Sequence, residues 1–220
     1  MGQNNRLLYF KGVSDEECLA QLAKLIEDYE NCVSIEEAEK IFHEIEPYAV
    51  EGFADAAFVV GMAWFEGIYG APDDDIAFQW FSDAASKGKS EAQLMLGAMY
   101  EKGWGVAKDE SMAFKWKCES VKSGHPVALH NLAVSYFIGS GCDKDWCKAF
   151  DAMKKSADGG LLDAIGDVGM MYHYGIGVEQ NFDEALKWYR KALELGGAEA
   201  DFKIWLIEKF HRTLPCSKCR

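Results

Sequence analysis

The sequence predicts an all-α protein, an α/α solenoid of stacked antiparallel helix pairs. Three observations carry that prediction. First, the chain repeats itself every 36 residues with no insertion between copies: Gly67, Gly103, Gly139 and Gly175 keep the step, and so do Ala77, Ala113, Ala149 and Ala185. Second, each period holds two stretches whose apolar residues fall on one helical face, such as Ala92, Leu96, Gly97 and Tyr100. Third, each stretch is bounded by residues that start or stop helices.

The elements follow in order. Residues 1–52 read as an N-terminal helical cap containing a degenerate half-repeat, because "IEEAEKIFHEIEPYAVEG" places Phe42 and Gly52 one period before Phe78 and Gly88. Residues 53–200 read as four repeats. In each, a first helix (A) carries the Ala56/Ala92/Ala128/Ala164 set, the Gly61/Gly97/Ala133/Gly169 set and the Trp64/Tyr100/Tyr136/Tyr172 set, and stops at the Gly67 series. A glycine-bearing loop leads to a second helix (B). Its start falls at Asp73, Asp109, Asp145 and Asn181, residue types whose side-chain oxygen accepts a free backbone N–H. Glu184, three residues after Asn181, predicts a capping box. Helix B ends at Gly88, Gly124, Gly160 and Gly196. The small residues of helix A are expected to meet the Ala77 series of helix B, with the aromatic set and Trp80, Trp116 and Trp188 filling the space around that contact. The third copy departs from the pattern, with Ala152 where the others have Trp. Residues 201–220 read as a C-terminal capping helix and tail.

The loop "GIGVEQN" before helix B resembles a phosphate cradle when read alone. Its recurrence as "GWGVAKD" makes it a connector instead. The Asp73–Asp75 run reads as a cap plus a favourable first helical turn, not as a cation site. Cys216-x-x-Cys219 has metal or redox spacing, but no second pair accompanies it and it reads as tail; a metal shared across a dimer stays open. The histidines show no metalloprotease spacing, and no nucleotide-loop or serine-hydrolase motif occurs. The expectation is no enzyme, no cofactor and no metal.

Composition narrows the partners. The formal charge is −13, which opposes binding to phosphate backbones. Residues 1–50 hold 11 acidic and 4 basic residues, whereas residues 201–220 hold 2 and 5. No stretch approaches the ~20 apolar residues of a membrane span, and Leu7–Phe10 is too short for a signal core. Seven irregularly spaced cysteines argue against a disulfide framework. The expected compartment is the cytoplasm.

"AQLMLGAMYEKGWGVAKDESMAFKWKCESVKSG" and "AIGDVGMMYHYGIGVEQNFDEALKWYRKALELGG" resemble the Sel1-like repeat family, a relative of the tetratricopeptide repeats. The likeness covers roughly residues 53–200. It implies helix pairs stacked into a right-handed superhelix, and an adaptor, scaffold or regulator that binds a segment of another protein in a concave groove lined mainly by helix A. Projected from the Gly61 series, that lining comprises Phe58, Leu94, His130, Gly166 and Phe202 (three before), Met62, Ala98, Val134 and Met170 (one after), Phe65, Glu101, Phe137 and His173 (four after), and Glu66, Lys102, Ile138 and Tyr174 (five after). The partner-binding residues so expected are Phe58, Met62, Phe65, Leu94, His130, Phe137, Ile138, Met170, His173 and Tyr174. They vary between copies while the packing positions repeat, as a surface fitted to an asymmetric partner would. Coverage of this face by Leu7–Phe10, homodimerisation, and a bacterial immunity or inhibitor role against a basic toxin are the alternatives that stay open. A hydrolase with its site in the groove, or RNA reading by the repeats, fits the sequence less well.

Overall fold

The computed structural model describes residues 14–68, 70–197 and 199–210. Every regular element among them is helical. The chain divides into two compact units, one ending at Ser120 and the other beginning at Val121. The border falls between the second and third copies of the repeat.

The first unit contains α1 (Asp15–Glu30), α2 (Ile35–Glu51), α3 (Ala54–Glu66), α4 (Asp74–Ser86), α5 (Ser90–Lys102) and α6 (Glu110–Ser120). The second contains α7 (Pro126–Ile138), α8 (Trp146–Asp158), α9 (Leu162–Tyr174), α10 (Phe182–Glu194) and α11 (Glu199–Phe210). Within each unit every helix packs on the next in sequence. The helices from α3 to α10 alternate as A and B of the four repeats, and α11 takes the place of a fifth A. The degenerate upstream stretch forms α2, as a helix B. Each unit has its own core, the first centred on Phe42, Ile45, Phe81 and Leu96, the second on Ile165, Met171, Leu186 and Tyr189.

The repeated positions explain this packing. Ala56, Ala92, Ala128, Ala164 and Ala200 are all buried. Gly67, Gly103, Gly139 and Gly175 end helix A in the left-handed conformation, with φ of 74, 79, 80 and 70°. Asp73, Asp109, Asp145 and Asn181 each accept a backbone N–H from three residues ahead, at 2.9–3.0 Å. The capping box expected at Asn181 is replaced by another arrangement. The backbone N–H that Glu184 would have engaged donates to the Tyr172 carbonyl at 2.9 Å, and Asp73, Asp109 and Asp145 do the same to Trp64, Tyr100 and Tyr136. Glu184 turns instead to Lys187, 2.6 Å away. The cap residue thus ties helix B to helix A in every copy.

Two contacts differ from the sequence expectation. The notch left by the small residue of helix A is filled mainly by the residue 20 positions later, one turn beyond the Ala77 series. A Cβ on Gly61 would lie 2.7 Å from the Phe81 ring, and one on Gly169 would lie 2.7 Å from the Tyr189 ring. In the second copy Lys117 occupies this place, 8% exposed, with its ammonium 2.6 Å from Glu101. The aromatic set of helix A reaches backwards: Tyr100 meets Phe78 edge-on at 5.6 Å, and Tyr172 meets Phe150 at 5.2 Å, each on helix B of the preceding copy.

The second loop glycine has its own role. A Cβ on Gly105 would collide with the Asp74 carbonyl oxygen, and one on Gly177 with that of Trp146. The loop presses backbone against backbone at the start of the previous helix B, a contact only glycine permits. Val106 and Val178 pack beneath, against the two cores. What resembles a phosphate cradle in sequence is an inter-repeat joint.

Candidate functional site

Helix A offers one face to its own helix B and another to solvent or neighbouring A helices. In the first unit Phe58, Met62, Phe65 and Leu94 are half-buried. The Phe58 ring lies 5.8 Å from Phe81, with the Lys89 ammonium 5.7 Å from its centre. Phe65 contacts both Phe81 (6.4 Å) and Trp104 (5.5 Å). Trp104, which the projection omits, is 38% exposed. Its place in the loop, outside helix A, kept it out of a search based on helical spacing.

In the second unit Phe137 and Met170 are half-buried, whereas Ile138 and Tyr174 are 55% and 61% exposed. His173 departs from its expected place. It is buried, stacked under Tyr174 at 4.5 Å and edge-on to Phe182 and Tyr189. The reason is helical geometry: four residues after Gly169, its side chain lies on the same stripe as the packing glycine. Phe65 and Glu101 occupy the equivalent place and meet Phe81 and Lys117 of their own helix B. This set is therefore largely inter-helix filling, and in the second unit the exposed apolar surface belongs to the position one residue further on.

His130 lies in a cavity of about 470 Å³ bounded by three successive A helices, α7, α9 and α11, with Tyr189 and Ala192 of α10 beneath. Its Nε2 is 3.3 Å from Asp167 Oδ2. That hydrogen bond raises the imidazole pKa above its ordinary value, against the effect of partial burial, and the Asp167 and Asp163 charges add to the rise. Burial pushes the Tyr189 phenol pKa upward, and its hydroxyl is enclosed without a hydrogen-bond partner among the described residues. Lys203 sits 5.5 Å from the centre of the Tyr189 ring. Asp163, Asp167, Glu199 and Lys203 escaped the sequence reading, which projected from the packing glycines alone. Gly166 was the available signal, the one copy in its row without a side chain.

No group of three or more His, Cys, Asp or Glu side chains among the described residues is placed to hold a metal ion. No helix among them is long and apolar enough to cross a membrane. Leu7–Phe10, His211, Cys216 and Cys219 lie outside the described residues.

Stacked helix pairs with a fixed packing code and a variable helix-A face define the chain as a helical-repeat protein. More particularly, it belongs to the Sel1 repeat family, whose model matches residues 54–89, 90–124, 126–161 and 162–197. Proteins of this family generally serve as protein–protein interaction modules. Among solved structures, the chain is similar to a protective antigen of uropathogenic Escherichia coli strains that displays an SLR fold. The two are 26% identical over 92% of this chain, with a TM-score of 0.79; the match spans 43% of the E. coli protein. A Sel1 repeat protein from Oxalobacter formigenes shares the fold at 24% identity, over 89% of this chain and 78% of its own, with a TM-score of 0.77. No curated protein matches.

Proposed function

We propose that this chain is a non-enzymatic adaptor that holds a segment of another protein against the helix-A faces of its repeats. The observation that carries the reading is the pair Ile138 and Tyr174. They occupy equivalent positions at the ends of α7 and α9, and both leave more than half of a large apolar side chain in water. Exposed apolar groups of this kind suit anchor roles in recognition. In the second unit the half-buried Phe137 and Met170 would border the bound segment, with His173 supporting from behind; Phe58, Met62 and Leu94, half-buried with Phe65 on helix A of the first unit, are that unit's own candidate contacts. The general role of the family favours binding over catalysis. The acidic charge favours a basic partner over a nucleic acid. The irregular spacing of the seven cysteines fits work in the reducing cytoplasm.

The test is affinity purification from the source organism with the parent chain and with an Ile138→Glu, Tyr174→Glu double variant. Both side chains are exposed, so the variant should keep the circular dichroism of the parent. The reading expects partners retained by the parent to be lost from the variant. Full retention by a folded variant would overturn it.

A further inference from the structure

The cavity between α7, α9 and α11 exists because one side chain is missing. Three positions before the packing residue of helix A stand Phe58, Leu94, His130, Gly166 and Phe202, so Gly166 interrupts a row of large groups. Nothing local calls for glycine there. It lies inside α9, its φ is not in the left-handed region, and a Cβ built on it would meet nothing within 4 Å. A glycine within a helix costs about 1 kcal/mol relative to alanine. What the glycine provides is space, about 470 Å³ in all, within the usual range for binding pockets.

The lining sets the chemistry of an occupant. Asp163, Asp167 and Glu199 supply three carboxylates against the Lys203 ammonium and the His130 imidazole. His130 engages only Oδ2 of Asp167, leaving Oδ1 to accept from another donor. Asp163 and Glu199 carry no ion pair among the described residues. The balance is negative, in keeping with the chain's charge of −13. A planar guanidinium offers several N–H donors in a fixed fork that fits carboxylates, and loses less hydration on entry than an ammonium does. We propose that this cavity is a side-chain pocket for an arginine of the bound partner, held open by Gly166 and addressed by Asp163, Asp167 and Glu199. The proposal rests on the adaptor reading in taking its occupant from a partner protein.

The full chain, labelled with ¹⁵N, would be titrated with the blocked tripeptide acetyl-Gly-Arg-Gly-amide and with its Gln and Glu counterparts. The Arg peptide should shift the amides around 163–167 and 199–203 in a saturable way and bind about tenfold or more tighter than the Gln peptide, the loss expected when a charge-assisted bond is removed. Gly166→Leu should abolish the shifts. If that variant disturbs the spectrum at large, the exposed double change Asp163→Asn with Glu199→Gln decides, and should weaken binding by about tenfold. No saturable Arg shift, tighter binding of the Glu peptide, or binding undiminished in these variants would overturn the proposal. Ile138 and Tyr174 do not line the cavity, so the Ile138→Glu, Tyr174→Glu chain should still bind the peptide. The two readings therefore fail separately.

Discussion

Two glycines three residues apart in α9 should respond to the same substitution in opposite directions. Gly169→Ala places a methyl 2.7 Å from two carbons of the Tyr189 ring, where ordinary carbon contacts lie at about 3.5–4.0 Å. The ring is 1% exposed and cannot swing into solvent, so it must move by roughly 1 Å within a packed core. Such overpacking costs about 1–3 kcal/mol. Replacing a helical glycine returns about 1 kcal/mol, so the net change runs from near zero to a loss of about 2 kcal/mol. Gly166→Ala meets nothing and should keep the whole gain of about 1 kcal/mol. Helix propensity cancels between the two variants, so their difference isolates the steric cost, about 1–3 kcal/mol. Urea unfolding of the parent and both variants reads it directly. The expected order of midpoints is Gly166→Ala highest and Gly169→Ala lowest, with unchanged slopes. Equal stability of the two variants would refute the account of the helix A–helix B contact.

Three further expectations follow from the same geometry. Gly177→Ala combines a φ of +69° with a Cβ placed inside the Trp146 carbonyl oxygen, so it should cost more than Gly169→Ala and lower the thermal midpoint further, whereas Gly160→Ala, also at positive φ but facing open space, should cost only about 1 kcal/mol of backbone strain. Glu101→Ala removes the carboxylate 2.6 Å from the buried Lys117 ammonium and should destabilise the chain by about 1–3 kcal/mol, while Lys117→Met should be close to neutral in the same urea assay. The raised pKa of His130 means that its pairing stabilises the fold fully below the unfolded histidine value of about 6.5 and loses that contribution as pH rises through the folded pKa. An NMR titration should find the His130 pKa lowered by Asp167→Asn, with Asp163, Glu199 and Lys203 as the other charged groups facing the cavity; an unchanged pKa would contradict the pairing.

The helices were legible in the sequence because their boundaries are encoded locally. The Gly67 series and the Asp73 series mark stops and starts with residues whose conformational or hydrogen-bonding properties leave few alternatives. The partner of the packing glycine was less legible. Ala77, Ala113, Ala149 and Ala185 repeat as small residues and attract attention, yet Phe81, Lys117, Met153 and Tyr189 keep the same step of 36, and Phe81, Lys117 and Tyr189 meet the packing glycines, with the chemistry of the series changing from copy to copy. A search for identical residues passes over such a series. The outward face was harder still. One step along a helix separates the buried His173 from the exposed Tyr174, an offset of about 100° that small differences in helix orientation can reverse. The cavity was visible only as an absence, at Gly166. Its carboxylates and Lys203 come from α9 and α11, on helices separated in sequence by α10, and only the fold brings them to one place.

The central claim is that the positions fixed by the repeat build the scaffold and the variable helix-A positions meet the partner. Hydrogen–deuterium exchange of the full chain, alone and saturated with a partner recovered by affinity purification, tests it most directly. The account predicts that added protection concentrates on helix A, at the ends of α7 and α9 around Ile138 and Tyr174, and leaves the Gly-x-Gly-Val joints at Gly103–Val106 and Gly175–Val178 unchanged. Protection confined to those joints or to the helix-B segments, with the A helices unaffected, would contradict it.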